Sequence, residues 1–164
     1  MKKPVWRDDL DVADNLRKRL PKIARKYFAR GRNALDPGAG WKKKHAFRLA
    51  TKQFRYTLEL FRAEYGPGLE ERIEHLKKVQ DLLGKANDYI VTAEILKSTA
   101  GTDELRARFS RKAESRVKQL RSWWRTNMEP EAVEKRWIVY LERFAGRHGA
   151  RRTRPAPGVS PSRP

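Results

Sequence analysis

Apolar residues recur along most of this chain at the spacing of an α-helix. The first run comprises Leu16, Leu20, Ile23 and Tyr27. This i, i+4, i+7, i+11 pattern predicts an amphipathic helix. We expect Asp8 or Asp9 to cap its start and Gly31, with the turn at 36–38, to end it. Pro21 lies inside the pattern and is predicted to kink or split the helix, because it removes a backbone hydrogen bond.

The same periodicity predicts further helices downstream. The second runs from about Trp41 to Tyr65, the third from Leu69 to Leu83, and the fourth ends near Gly101, while Thr102 caps the fifth and Pro130 opens the sixth. Gly84 is predicted to separate the third helix from the fourth.

The chain reads as a single helical domain. No useful stretch alternates apolar and polar residues as a strand does, so the fold class is predicted to be all-α, an antiparallel bundle of about six helices over residues 1–150. Residues 151–164, RRTRPAPGVSPSRP, combine four arginines and four prolines with almost no apolar content. We expect this segment to be a disordered basic tail.

The charge distribution indicates the kind of partner that the chain binds rather than its fold. The chain carries 39 Lys and Arg against 20 Asp and Glu, a net charge of +19. The segment 15–58 holds fourteen basic residues and one acidic residue, Asp36. Such segregation predicts a one-sided positive field and an anionic partner. Cysteine is absent, no ~20-residue apolar span occurs, and no secretory signal is seen, so we expect a cytoplasmic protein without membrane contact.

One helix face carries the most informative pattern. His45, Arg48, Lys52 and Arg55 fall within one quadrant of the second helix, and we call them the basic face. Phe47, Phe54 and Leu58 fall on the opposite side. No carboxylate occurs in the stripe before Glu59, so the basic face predicts binding of a phosphate-rich polyanion.

Neighbouring residues extend this prediction. We expect six further side chains to take part, namely Arg17, Lys18, Lys22, Arg25, Lys44 and Tyr56. A second basic stripe, Arg111, Lys118, Arg121 and Arg125, lies on the predicted fifth helix. It is left out of the predicted site.

The basic face also carries a family resemblance. The run His45-x-x-Arg48-x-x-x-Lys52-x-x-Arg55-Tyr56 resembles the signature of the CHAD family, the conserved histidine α-helical domain. The likeness continues through segment 76–88, where Asn87 and Asp88 are predicted to hold the motif helix by pairing with Arg48 or Arg55.

The resemblance implies a non-enzymatic helical module that binds inorganic polyphosphate, in some cases at polyphosphate granules. It makes His45, Arg48, Lys52 and Arg55 phosphate-facing. The family often has a basic residue where this chain has Gln53, and its members usually carry two motif copies, whereas this chain has one. Either half a site suffices or two chains complete it as a homodimer, which we favour because a two-fold axis would mimic the internal symmetry.

The sequence is also compatible with other functions. Nucleic-acid binding fits the charge and the arginines at 151, 152 and 154, although no base-reading helix or RNP-type strand motif is seen. A scaffold docking an acidic protein is a third reading. An enzyme is not predicted, because phosphate-loop and metal motifs are absent, and no cofactor is expected.

Overall fold

The computed structural model describes residues 7–146. Within that range the chain forms α-helices and one short 3-10 turn, and it forms no strand. The helices are α1 (Val12–Leu35), α2 (Trp41–Leu60), α3 (Arg62–Tyr65), α4 (Gly68–Ile95), α5 (Asp103–Asn127) and α6 (Glu131–Arg143). The all-α class and the helical bundle are confirmed. The predicted tail at 151–164 lies outside the described residues.

Neighbouring helices run antiparallel, as side-chain pairs between them show. His45 and Arg55 of α2 contact Asn87 and Gln80 of α4, so the numbers rise on one helix as they fall on the other. Between α1 and α6, Arg25 pairs with Glu142 and Arg32 with Glu134, in the same opposed order. α5 packs along α4.

An aromatic cluster forms the centre of the core. Trp124 of α5 lies 5.5 Å from the Phe47 ring of α2 and 6.0 Å from the Phe28 ring of α1, measured between centroids. Gly31 makes this approach possible, because a Cβ there would stand 2.4 Å from the Trp124 indole. The cluster therefore fixes α2 against α1 and α5. The polar side of α2 faces outward as a result.

The first helix starts at a different cap from the one predicted and is not ended by Gly31, whereas the turn at 36–38 ends it as predicted. Asp11, not Asp8 or Asp9, caps α1, with its carboxylate accepting a 2.6 Å bond from the Asp14 amide. Asp9 is paired with Arg7 instead. The helix continues past Gly31, since that glycine accommodates Trp124 rather than ending the helix.

Pro21 does not split α1. The helix is continuous from Val12 to Leu35 with the proline buried inside it. Leu16, Leu20 and Ala24 are buried on either side of the proline. Their burial is worth several times the single backbone bond that proline removes.

The predicted break at Gly84 is also absent. α4 is one helix, because Leu82, Leu83 and Ala86 around the glycine are all buried and a single glycine costs only about 1 kcal/mol relative to alanine. The predicted second helix, by contrast, divides at Phe61 into α2 and α3. The division lets Tyr65 turn inward, where its hydroxyl donates a 3.0 Å bond to the Leu141 carbonyl of α6.

Candidate functional site

The basic face lies on the outer side of α2. Phe47, Phe54 and Leu58 are buried below it, which turns the helix so that His45 and Lys52 are exposed and Arg48 and Arg55 half-buried. The four side chains run for about 15 Å along the helix. They border α4, which supplies polar contacts at two levels.

His45 is held by Asn87 of α4. The imidazole Nδ1 lies 3.2 Å from the Asn87 side-chain oxygen, which can only accept. Asn87 thus occupies Nδ1, and Nε2 is the ring nitrogen left for a ligand. The prediction that Asn87 pairs with Arg48 or Arg55 is wrong, and within residues 7–146 neither arginine forms an ion pair with Asp88.

Arg55 is the most constrained cation of the basic face. Its Nε donates to the Gln80 side-chain oxygen at 2.8 Å and one terminal nitrogen donates to Glu59 at 2.6 Å. The Tyr56 ring covers the guanidinium at 4.4 Å from the ring centroid. Only 15% of the Arg55 side chain is exposed. Arg55 is thus well oriented, but Glu59 already offsets part of its charge.

Lys52 and Arg48 lack such counter-charges. Among the described residues neither forms an ion pair, and Lys52 Nζ lies 5.7 Å from the Tyr56 ring centroid. The buried Nε of Arg48 has no hydrogen-bond partner within the described chain. Unmatched positive charge is therefore concentrated at the middle of the basic face.

The structure separates two of the predicted α1 residues from the basic face. Arg17 donates to Asp14 at 2.8 Å and to the Ala145 carbonyl at 2.7 Å, and Arg25 pairs with Glu142 at 3.3 Å. Both are directed toward the α6 side of α1. Lys18 and Lys22 are exposed.

One cation of α1 that borders α2, Arg30, was not predicted from the sequence. Arg30 lines small grooves together with Ala50 of α2 and Lys26 of α1. Its spacing of three residues from the buried Tyr27 and seven from Ile23 is the signal that could have identified it.

Lys44, which was predicted to face the ligand, is buried and makes a contact within the fold instead. Its ammonium donates to the Ala39 carbonyl in the α1–α2 loop, and the residue is buried. Burial lowers the Lys44 pKa, and the nearby charge of Arg121 lowers it further. Tyr56 is 47% exposed and lies against Arg55, as expected for a residue beside the basic face.

Two classes of site receive no support in the described part of the chain. Residues 7–146 contain no group of three or more His, Asp or Glu side chains placed to hold a metal ion. None of their helices combines the length and apolar character needed to cross a membrane.

The fold and the face together define a class: a helical bundle that presents a cationic stripe on one helix. The CHAD-domain family model matches residues 2–97, more than half of the chain, and the chain belongs to this family. The match covers α1 to α4, including the basic face, and is consistent with a half-length module. CHAD domains are associated with polyphosphate binding in general terms. No curated protein and no solved structure gives a significant match.

Proposed function

We propose that this protein binds inorganic polyphosphate along the basic face of α2 and performs no chemistry on it. The observation that carries the proposal is the solvent-facing stripe itself. Two of its members are oriented from α4 by Asn87 and Gln80, and two others carry charge without a carboxylate partner among residues 7–146.

The chemistry of the ligand suits such a stripe. Polyphosphate is a linear anion, so a row of donors along a helix contacts it better than an enclosed pocket would. Binding releases condensed counterions and weakens steeply with salt. Arginine offers a planar fork of donors to phosphate oxygens, and lysine a point charge.

A triple substitution tests the site. We expect Arg48→Ala, Lys52→Ala and Arg55→Ala together to reduce polyphosphate affinity at least a hundredfold, with helicity by circular dichroism retained. The matched control removes three exposed charges from α5, Arg108→Ala, Arg111→Ala and Lys112→Ala, and should cost less than threefold. Equal losses in the two variants would show that net charge, not the basic face, holds the ligand.

Nucleic acid is the second candidate, supported by the net charge of +19 and the arginines of segment 151–154. A competition titration separates the two. Labelled long-chain polyphosphate is displaced by unlabelled polyphosphate or by duplex DNA at matched total phosphate and near-physiological salt. We expect polyphosphate to compete at least tenfold better, a difference of about 1.4 kcal/mol. Equal competition by duplex DNA would favour nucleic-acid binding as the function.

The proposal also holds that the protein does not cleave polyphosphate and that it lies in the cytoplasm, at polyphosphate granules when these form. The length distribution of bound polyphosphate should be unchanged after prolonged incubation with the protein, as gel electrophoresis would show. A fluorescent fusion should lie in the cytoplasm and collect at polyphosphate granules when these form.

A further inference from the structure

A groove of about 940 Å³ lies beyond the basic face, where α5 passes the start of α2. Trp41 and Lys44 of α2 border it on one side, and Val117, Lys118 and Arg125 of α5 border it on the other. The α5 side falls outside the segment that the family model matches. We call this cavity the α5 groove.

The bottom of the α5 groove is apolar. Ala113 and Val117 are buried there, and Ile90 of α4 is half-buried beside them. Inorganic polyphosphate has no apolar group that could cover these side chains. A ligand that fills the groove must therefore bring apolar surface of its own.

The rim of the α5 groove is cationic. Lys118, Arg121 and Arg125 stand at i, i+3 and i+7, about 10 Å along α5. Arg121 is fixed by the carbonyls of the α1–α2 loop, at 2.9 Å from Leu35 and 3.0 Å from Asp36. Within residues 7–146 neither Lys118 nor Arg125 forms an ion pair, and Glu114 is the one carboxylate among the residues that line the groove.

We propose that the α5 groove binds an acidic amphipathic helix of a partner protein. Such a helix presents an apolar row flanked by carboxylates at the same i, i+3, i+7 spacing, so it matches both the bottom and the rim. A second copy of this chain fits less well, because a two-fold contact of groove on groove would bring Lys118 and Arg125 of the two copies together. The surface is separate from the basic face and does not depend on the polyphosphate proposal.

The test uses a synthetic acidic amphipathic helix of about 16 residues, with leucine at i, i+3, i+4 and i+7 and glutamate beside them. Isothermal titration calorimetry with the full chain at near-physiological salt should give a micromolar dissociation constant. Lys118→Glu with Arg125→Glu should weaken binding at least tenfold. Arg108→Glu with Lys112→Glu, the same charge change on exposed α5 positions away from the groove, should weaken it less than twofold.

Two further ligands make each outcome decisive. A scrambled peptide of identical composition should bind at least tenfold more weakly, and equal binding would overturn the proposal in favour of plain charge attraction. Inorganic polyphosphate should bind the two double variants alike. A selective loss of polyphosphate binding in the Lys118 and Arg125 variant, with no peptide binding to the native chain, would assign the groove to the polyphosphate surface.

Discussion

At the residue scale, Glu59 competes with the bound phosphate for Arg55. Its carboxylate holds Arg55 at 2.6 Å in the free protein, and the pair is only partly exposed. A bound phosphate must share the guanidinium with Glu59 or displace the carboxylate, and it also experiences the repulsion of that charge. The i, i+4 pairing explains why a face that is otherwise cationic tolerates one acidic residue.

We therefore expect Glu59→Gln to strengthen polyphosphate binding about two- to fivefold, since an i, i+4 pair is worth ~0.3–0.5 kcal/mol and the change also removes the repulsion between the carboxylate and the phosphate. Fluorescence anisotropy with labelled polyphosphate measures the effect. Glu74→Gln makes the same change in net charge by removing the exposed pair with Lys77 on α4 and should alter affinity far less. An equal gain in both variants would attribute the effect to net charge.

A second residue links stability to pH. His75 packs edge-on against Trp123 and stacks on Trp137, and its buried Nδ1 has no partner among the described residues. Burial lowers the His75 pKa, Arg72 lowers it further, and Glu71 opposes the shift. The folded protein thus prefers the neutral imidazole.

The consequence is a loss of stability in mild acid. As the pH falls below about 6.5, the ordinary value, the unfolded chain takes up a proton that folded His75 resists, so the free energy of unfolding decreases until the folded pKa is passed. Urea denaturation at a series of pH values should show this slope. His75→Phe should flatten it and His45→Gln should retain it. A slope that survives in His75→Phe would assign the acid sensitivity to other groups.

At the element scale, two glycines in helix interiors, Gly31 and Gly84, have opposite surroundings. Gly31 faces the Trp124 indole at a distance that no Cβ could occupy, whereas nothing lies within 4 Å of a Cβ built on Gly84. From the sequence alone, both glycines are predicted to interrupt a helix. Packing decides what each does.

Gly31→Ala should destabilise the protein by about 1–3 kcal/mol, because Trp124 and Phe47 have to move. Gly84→Ala should stabilise it by about 0.5–1 kcal/mol, because alanine loses less backbone entropy in a helix. Thermal and urea unfolding measure both. Similar effects of the same sign would contradict the proposed packing difference.

These elements also show what sequence can and cannot predict here. Periodicity located the helices, and the basic face was predictable because its residues share one helix and one period. Helix ends at the turns near 36–38, 66–68 and 130 were predictable too, but the break predicted at Gly84 does not occur, since burial of Leu82 and Leu83 overrides a local glycine. The contacts of His45 with Asn87, 42 residues away, and of Arg25 with Glu142 depend on which helices become neighbours.

At the scale of the whole molecule, two carboxylates of α6 offset part of the positive charge of α1. Glu134 and Glu142 of α6 pair with Arg32 and Arg25 of α1. The basic face of α2 and the rim of the α5 groove have no comparable set of counter-charges in the described chain.

The homodimer remains a prediction at this scale. The repulsion between two chains of net charge +19 opposes association until a polyanion offsets it. We expect light scattering to give a monomer mass for the free protein and twice that mass with polyphosphate of about 20 units, each chain supplying one basic face. The triple alanine variant should stay monomeric. A monomer that binds tightly would show that one motif copy suffices.

The single row of cations along α2 has a further effect on a repeating ligand. Its row of cations matches any stretch of identical phosphates equally well, so a long polymer offers many equivalent registers and a short one few. The apparent affinity per chain should then rise in proportion to polymer length, with every tenfold increase in registers worth about 1.4 kcal/mol of purely statistical free energy. The bound protein would be free to slide from one register to the next without fully dissociating.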